Sequence, residues 1–90
     1  MVKLVVNIKA LPKDVSMDMN KLSDSIKDFL SNYGVVYKRE IQPLAFGLSV
    51  ILVTLIIDES LGTNVLEEDF KEFKDAEFTI TDISRIVDFG

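Results

Sequence analysis

The chain contains neither cysteine nor histidine among its 90 residues. Without cysteine it can form no disulfide and no thiolate metal site, and a reducing compartment is permitted. Without histidine it lacks the usual general base and the commonest nitrogen ligand for metals. An active site would have to rest on paired carboxylates or a lysine. No glycine-rich loop of the kind that cradles phosphate occurs. No apolar run reaches the roughly 20 residues of a membrane-spanning helix, so no membrane contact is expected. The amino terminus carries no signal pattern, because Lys3 and Lys9 interrupt it and alternation replaces an apolar block. A cytoplasmic protein is the expectation. Positive charge is also short: ten Lys and Arg stand against fifteen Asp and Glu, for a net charge of −5. Proteins that grip phosphate backbones carry a basic face, so direct nucleic-acid contact is disfavoured.

What is present is a folding sequence. Hydrophobic residues make up 48% of the chain, too many for a disordered segment. The length suits one small domain over residues 1–90. No internal repeat or low-complexity segment interrupts it.

The richest stretch runs from Ile41 to Ile57. Its second half, Val50 to Ile57, is apolar and largely β-branched on both alternating faces, the pattern of a central strand covered on two sides. Its first half is a break. Pro43 cannot donate to a ladder, and Gly47 permits backbone angles that other residues avoid. Between them Leu44, Ala45 and Phe46 occupy places where a turn normally puts polar residues.

Around this stretch the remaining elements follow by period. Val2, Leu4, Val6, Ile8 and Ala10 alternate with Lys3, Val5, Asn7 and Lys9, giving a strand that Pro12 ends. Ser16 or Asp18 can cap a helix whose apolar stripe is Met19, Leu22, Ile26, Phe29, Leu30 and Tyr33. Gly34 is expected to provide a left-handed cap. Val35 to Gln42 predicts a polar edge strand, with Tyr37, Arg39 and Ile41 on one face and Val36, Lys38, Glu40 and Gln42 on the other. Thr63 can cap a second helix striped by Val65, Leu66, Phe70 and Phe73. A last strand begins near Ala76, with Phe78 and Ile80 on one face. Its alternation slips at Asp82-Ile83, which predicts a bulge or the strand's end.

The order strand, helix, strand, strand, helix, strand, with right-handed crossovers, predicts an α+β ferredoxin-like βαββαβ sandwich. Its antiparallel four-stranded sheet has the order 4-1-3-2, with two helices on one face.

A search for chemistry returns little. Glu67, Glu68, Asp69 and Glu72 read as the solvated face of the second helix, and Asp58-Glu59 as a turn before it. No catalytic residue, metal or cofactor is expected. Phe46 stands apart: it either folds back on the sheet edge or is presented to a partner. Arg85, beside Asp82 and Asp88, reads as half of an exposed ion pair.

Several stretches together resemble one family. Pro43-Leu44-Ala45-Phe46-Gly47-Leu48, followed by the apolar strand, is similar to the hairpin of the exchange domain of elongation factor 1-beta. Gly62-Thr63-Asn64-Val65-Leu66-Glu67-Glu68 resembles the start of that domain's second helix, and Thr81-Asp82-Ile83 its last strand. The opening Val5-Val6-Asn7-Ile8-Lys9-Ala10-Leu11-Pro12 and the bare length resemble the archaeal form, which consists of this domain alone. The resemblance implies guanine-nucleotide exchange on elongation factor 1-alpha, promoting GDP release and GTP loading by binding rather than by covalent chemistry. It makes the hairpin residues Leu44, Ala45, Phe46 and Gly47 partner contacts. Eukaryotic members place a lysine near the carboxyl end that enters the magnesium site. The corresponding residue here is Asp88, which cannot mimic a cation, so Arg85 is the nominated replacement. A monomer is the expected state.

Two other readings compete. A small-molecule-binding regulatory domain of ferredoxin-like fold would dimerise and enclose a pocket. An RNA-recognition domain would need aromatics on the central strands, where this chain has Lys3 and Lys9 and no aromatic.

Overall fold

Alternating apolar residues build the sheet, as the period of the sequence dictates. The structure is a computed structural model and describes residues 2–87. The elements are β1 (Val2–Pro12), α1 (Met19–Leu30), β2 (Val35–Pro43), a 3-10 turn (Ala45–Gly47), β3 (Ser49–Asp58), α2 (Asn64–Phe70) and β4 (Ala76–Val87). The sheet order is β2-β3-β1-β4 with every neighbouring pair antiparallel, which is the ferredoxin-like order. The Asp18 carboxylate caps α1, accepting from the backbone N–H groups of Asn20 and Lys21. At α2, Thr63 occupies the cap position without a side-chain hydrogen bond.

The core lies between one sheet face and the two helices. Val6, Ile8 and Ala10 of β1 and Ile51, Val53, Leu55 and Ile57 of β3 are buried against Leu22, Ile26 and Leu30 of α1 and Leu66 and Phe70 of α2. Each such Val, Leu or Ile side chain contributes about 1.5–3 kcal/mol when fully buried. The apolar character of β3 on both faces suggested cover on two sides. The helices cover only one: on the opposite face Leu52, Thr54 and Ile56 are half-buried, and Val50 alone is buried. Val65, expected in the stripe of α2, is exposed, because the helix has only 7 residues and turns Leu66 and Phe70 inward.

Three local expectations are corrected. First, β2 changes face at a bulge. Val36 pairs with Leu55 and Lys38 with Thr54, so Tyr37 is an extra residue without a partner. Val36 therefore shares the helix side with Arg39, whose guanidinium donates to the Ser23 hydroxyl and the Asp24 carboxylate of α1, each at 3.1 Å. Second, β4 neither ends at Asp82-Ile83 nor bulges there. The extra residue is Thr81, between Ile80 (opposite Ile8) and Asp82 (opposite Asn7), and the strand continues to Val87. Third, Gly34 is not a left-handed cap. A β-carbon built on it would lie 2.1 Å from the Ile56 carbonyl oxygen, so the residue is glycine because two backbones meet there.

Phe29, Phe70, Phe73 and Phe78 pack with ring centroids 4.8–5.8 Å apart and join α1, the end of α2 and β4. Tyr33 meets the edge of Phe29, and its hydroxyl donates to the Asp69 carboxylate at 2.5 Å. Burial and then the Asp69 carboxylate push the Tyr33 phenol up to about 12. A folded-state value above the unfolded one stabilises the fold fully below the unfolded value near 10, and that contribution is lost as pH rises towards 12. Tyr33→Phe is expected to cost about 1–2 kcal/mol at neutral pH, from one hydrogen bond to a charged acceptor. It should also flatten the fall in stability between pH 10 and 12, followed by chemical denaturation at stepped pH. An unchanged alkaline slope would refute the assignment.

Candidate functional site

The β2–β3 connection is built from a turn that its residues enter at a cost. The Leu48 N–H donates to the Ala45 carbonyl at 3.3 Å, and the Leu44 N–H donates to the Leu48 carbonyl at 2.7 Å. The two residues enclosed by the inner bond, Phe46 and Gly47, both have positive φ, at 61° and 75°. This is the sign pattern of the tight hairpin turns that favour Asn, Asp or Gly at those positions. Gly47 satisfies it without strain. Phe46 does not: an aromatic residue in the left-handed region costs about 1–2 kcal/mol. Among the described residues it is the only non-glycine with positive φ.

Among the described residues nothing offsets that cost by packing. Phe46 is 99% exposed, so the turn holds the ring wholly in solvent. Leu44 and Leu48, on either side of it, are exposed as well. The structure thus brings Leu44, Ala45, Phe46 and Gly47 together at one tip. It also adds Leu48, which sequence reasoning left out although it ends the same motif.

Arg85 lies elsewhere. It stands opposite Leu4, which pairs with Ile57, near the far end of β3 from Ser49. Eight residue steps of strand separate Ile57 from Ser49, roughly 26 Å at about 3.3 Å per residue. The Arg85 guanidinium is exposed and engages Glu59 with two nitrogens, Nε to Oε2 at 2.5 Å and an N–H to Oε1 at 3.4 Å. Arg85 is thus half of an exposed ion pair, as expected, but its partner is Glu59 and not the neighbouring Asp82, whose carboxylate accepts from the Ser84 hydroxyl. Asp88 lies outside the described residues. Beside Arg85 in the sheet, the Lys3 ammonium approaches Asp58 at 3.5 Å. The Asp58 carboxyl lies below the usual carboxylate range because the Ser60 backbone N–H and hydroxyl donate to it. This end of the sheet is therefore charged and locally paired, while the Phe46 end is apolar.

Among the described residues, no group of three acidic side chains converges to hold a metal ion. Glu67, Glu68 and Glu72 are exposed, and Asp69 is engaged by Tyr33. No helix of the described residues is long and apolar enough to cross a membrane.

Comparisons with known proteins match the sequence of this chain to one family. The model of the EF-1 guanine nucleotide exchange domain matches residues 5–86, a span that includes both the Leu44–Leu48 tip and Arg85. An elongation factor 1-beta of Methanosarcina barkeri is 33% identical over 86 residues, covering 92% of this chain and 97% of the relative. One of Aeropyrum pernix is 32% identical over 90 residues, covering 96% and 99%. One of Nanoarchaeum equitans is 36% identical over 63 residues, covering 70% and 74%.

Proposed function

We propose, for a chain that belongs to the EF-1 guanine nucleotide exchange domain family, that it releases GDP from elongation factor 1-alpha and so lets GTP replace it. The coarser part of this reading follows from the family: the chain is an archaeal-type translation elongation factor of the nucleotide-exchange kind. The observation that carries the finer part is Phe46, a fully exposed aromatic on a strained turn. Strained backbone persists where function requires the geometry, and aromatic side chains dominate interface energetics.

Exchange requires no reactive side chain. A factor that binds the nucleotide-poor state of a GTPase more tightly than the loaded state shifts that equilibrium, by as much as its differential affinity. The Phe46 tip supplies docking energy that does not depend on the nucleotide. The opposite end, roughly 26 Å along β3, is where differential binding would act. Arg85 is our candidate there. Its charge is held by Glu59, so it acts on the partner only by exchanging that carboxylate for another.

The direct test mixes the purified chain with elongation factor 1-alpha loaded with fluorescent GDP. Accelerated release is expected; release at the spontaneous rate would sink the proposal. Arg85→Ala is expected to slow release at saturating chain concentration about tenfold, the worth of one charge-assisted contact, with half-saturation nearly unchanged. Its stability should change by no more than about 1 kcal/mol, since exposed ion pairs contribute little. Saturating release equal to wild type would remove Arg85 from the mechanism.

A further inference from the structure

Beneath the Phe46 tip, the end of β1 and the turn enclose a groove. Leu11 and Pro12 form one wall, Leu44 and Leu48 the other, and Lys13 and Glu77 stand at its rim. The three leucines are 37%, 45% and 42% exposed, so an apolar surface continues from the tip down to the sheet. Two contacts hold the walls in place. The Leu44 N–H bond to the Leu48 carbonyl fixes the turn side, and the Lys13 N–H donates to the Asp75 carbonyl at 3.0 Å on the other. The groove is thus formed before anything binds.

We infer that this groove receives an apolar side chain of the same GTPase surface that takes Phe46, so that docking is reciprocal: one knob given and one received. The inference rests on the docking role of the tip. Area decides the occupant. A stable association of two copies needs about 800 Å² from each. Three partly exposed leucines and a proline cannot supply that, so the groove serves a partner already held beside it. Continuity decides the position, because Leu44 and Leu48 border both Phe46 and the groove. The opposite charges of Lys13 and Glu77 at the rim orient the incoming segment, since rim charges set register more than affinity.

The test combines Leu11→Ser with Leu48→Ser and measures exchange against chain concentration, with Phe46→Ala in parallel. The serine pair is expected to raise the half-saturating concentration about tenfold while the saturating rate stays at the wild-type value. Leu11→Phe fills the groove without removing apolar surface and should weaken docking to a similar extent, so an unfolded serine variant does not remove the test. If Phe46→Ala weakens docking while the serine pair and Leu11→Phe leave half-saturation unchanged, the groove is idle and the inference falls. If Phe46→Ala is also without effect, the docking reading itself has failed and the groove falls with it. Sedimentation of the free chain supplies the other control. A monomer is expected, and a dimer dispersed by the serine pair would mean a second copy fills the groove, overturning the assignment.

Discussion

Phe46→Ala is expected to weaken docking on the GTPase about a hundredfold or more while moving the melting temperature by no more than about 3 °C. The two halves of this expectation have separate physical causes. A hundredfold is about 2.8 kcal/mol, within the range for an aromatic anchor seated in a fitted pocket. Stability is spared because the ring is 99% exposed and shields nothing in the free chain. A core aromatic would cost about 3–5 kcal/mol on truncation. Alanine keeps the unfavourable positive φ, so Phe46→Asn is the informative companion. Asparagine accepts the left-handed region more readily and should leave the chain as stable as wild type or up to about 1 kcal/mol more so. It should nevertheless dock as poorly as the alanine variant. A more stable protein with weaker exchange would show that the strain at this turn is kept for function. A large fall in melting temperature with unchanged exchange would refute the anchor role.

How much of this was legible follows from the range of the interactions involved. Period alone carried β1 and α1, because their buried faces repeat every two residues or every three to four, and nothing interrupts the count; β3 was legible instead from its unbroken apolar, β-branched run. The topology followed from element order. The two bulges were harder. Each inserts one residue, and the sequence reports a bulge only through a slip in alternation. In β4 the slip was visible but displaced: the residue without a partner is Thr81, one before the Asp82-Ile83 step that breaks the pattern. In β2 it was not visible, because a polar edge strand has no strict alternation to break, and Tyr37 looked like an ordinary member of a face. The candidate tip could be found from the incongruity of Leu44, Ala45 and Phe46 in a turn. Its left-handed backbone could not, since Phe gives no local signal for positive φ. Contacts far apart in sequence were out of reach altogether. Glu59 lies 26 positions from Arg85, and Asp69 lies 36 from Tyr33. For Arg85 nearer charged residues offered equally good partners on paper, and Tyr33 showed only its place in the apolar stripe.

Gly34→Ala is expected to be the most damaging single methyl group that can be added near the junction of α1 and β2, costing about 3 kcal/mol or more. The position explains the size. Val35, the next residue, already pairs with Ile56, so the chain enters the sheet at full contact with β3. A β-carbon at Gly34 would sit 2.1 Å from the Ile56 carbonyl oxygen and 3.0 Å from the side chain of Ile57. The first obstacle is backbone, which cannot swing aside as a flexible side chain would. Relief requires β2 to part from β3 at its first pairs, and that movement would disturb Ile57, which is buried in the core. Gly47→Ala is the contrasting case. Its φ is +75°, so alanine there is strained, but among the described residues no atom beyond its own chain neighbours lies within 4 Å of the added carbon. It should cost only about 1–2 kcal/mol of conformational energy. A domain of this size gains only about 5–13 kcal/mol from folding, and each 1 kcal/mol moves its melting temperature by about 4–8 °C. Gly34→Ala should therefore melt at least about 12 °C lower than wild type, and Gly47→Ala less than that. Thermal unfolding of the two variants side by side decides it. Equal losses would mean that conformation, not close approach, explains glycine at position 34.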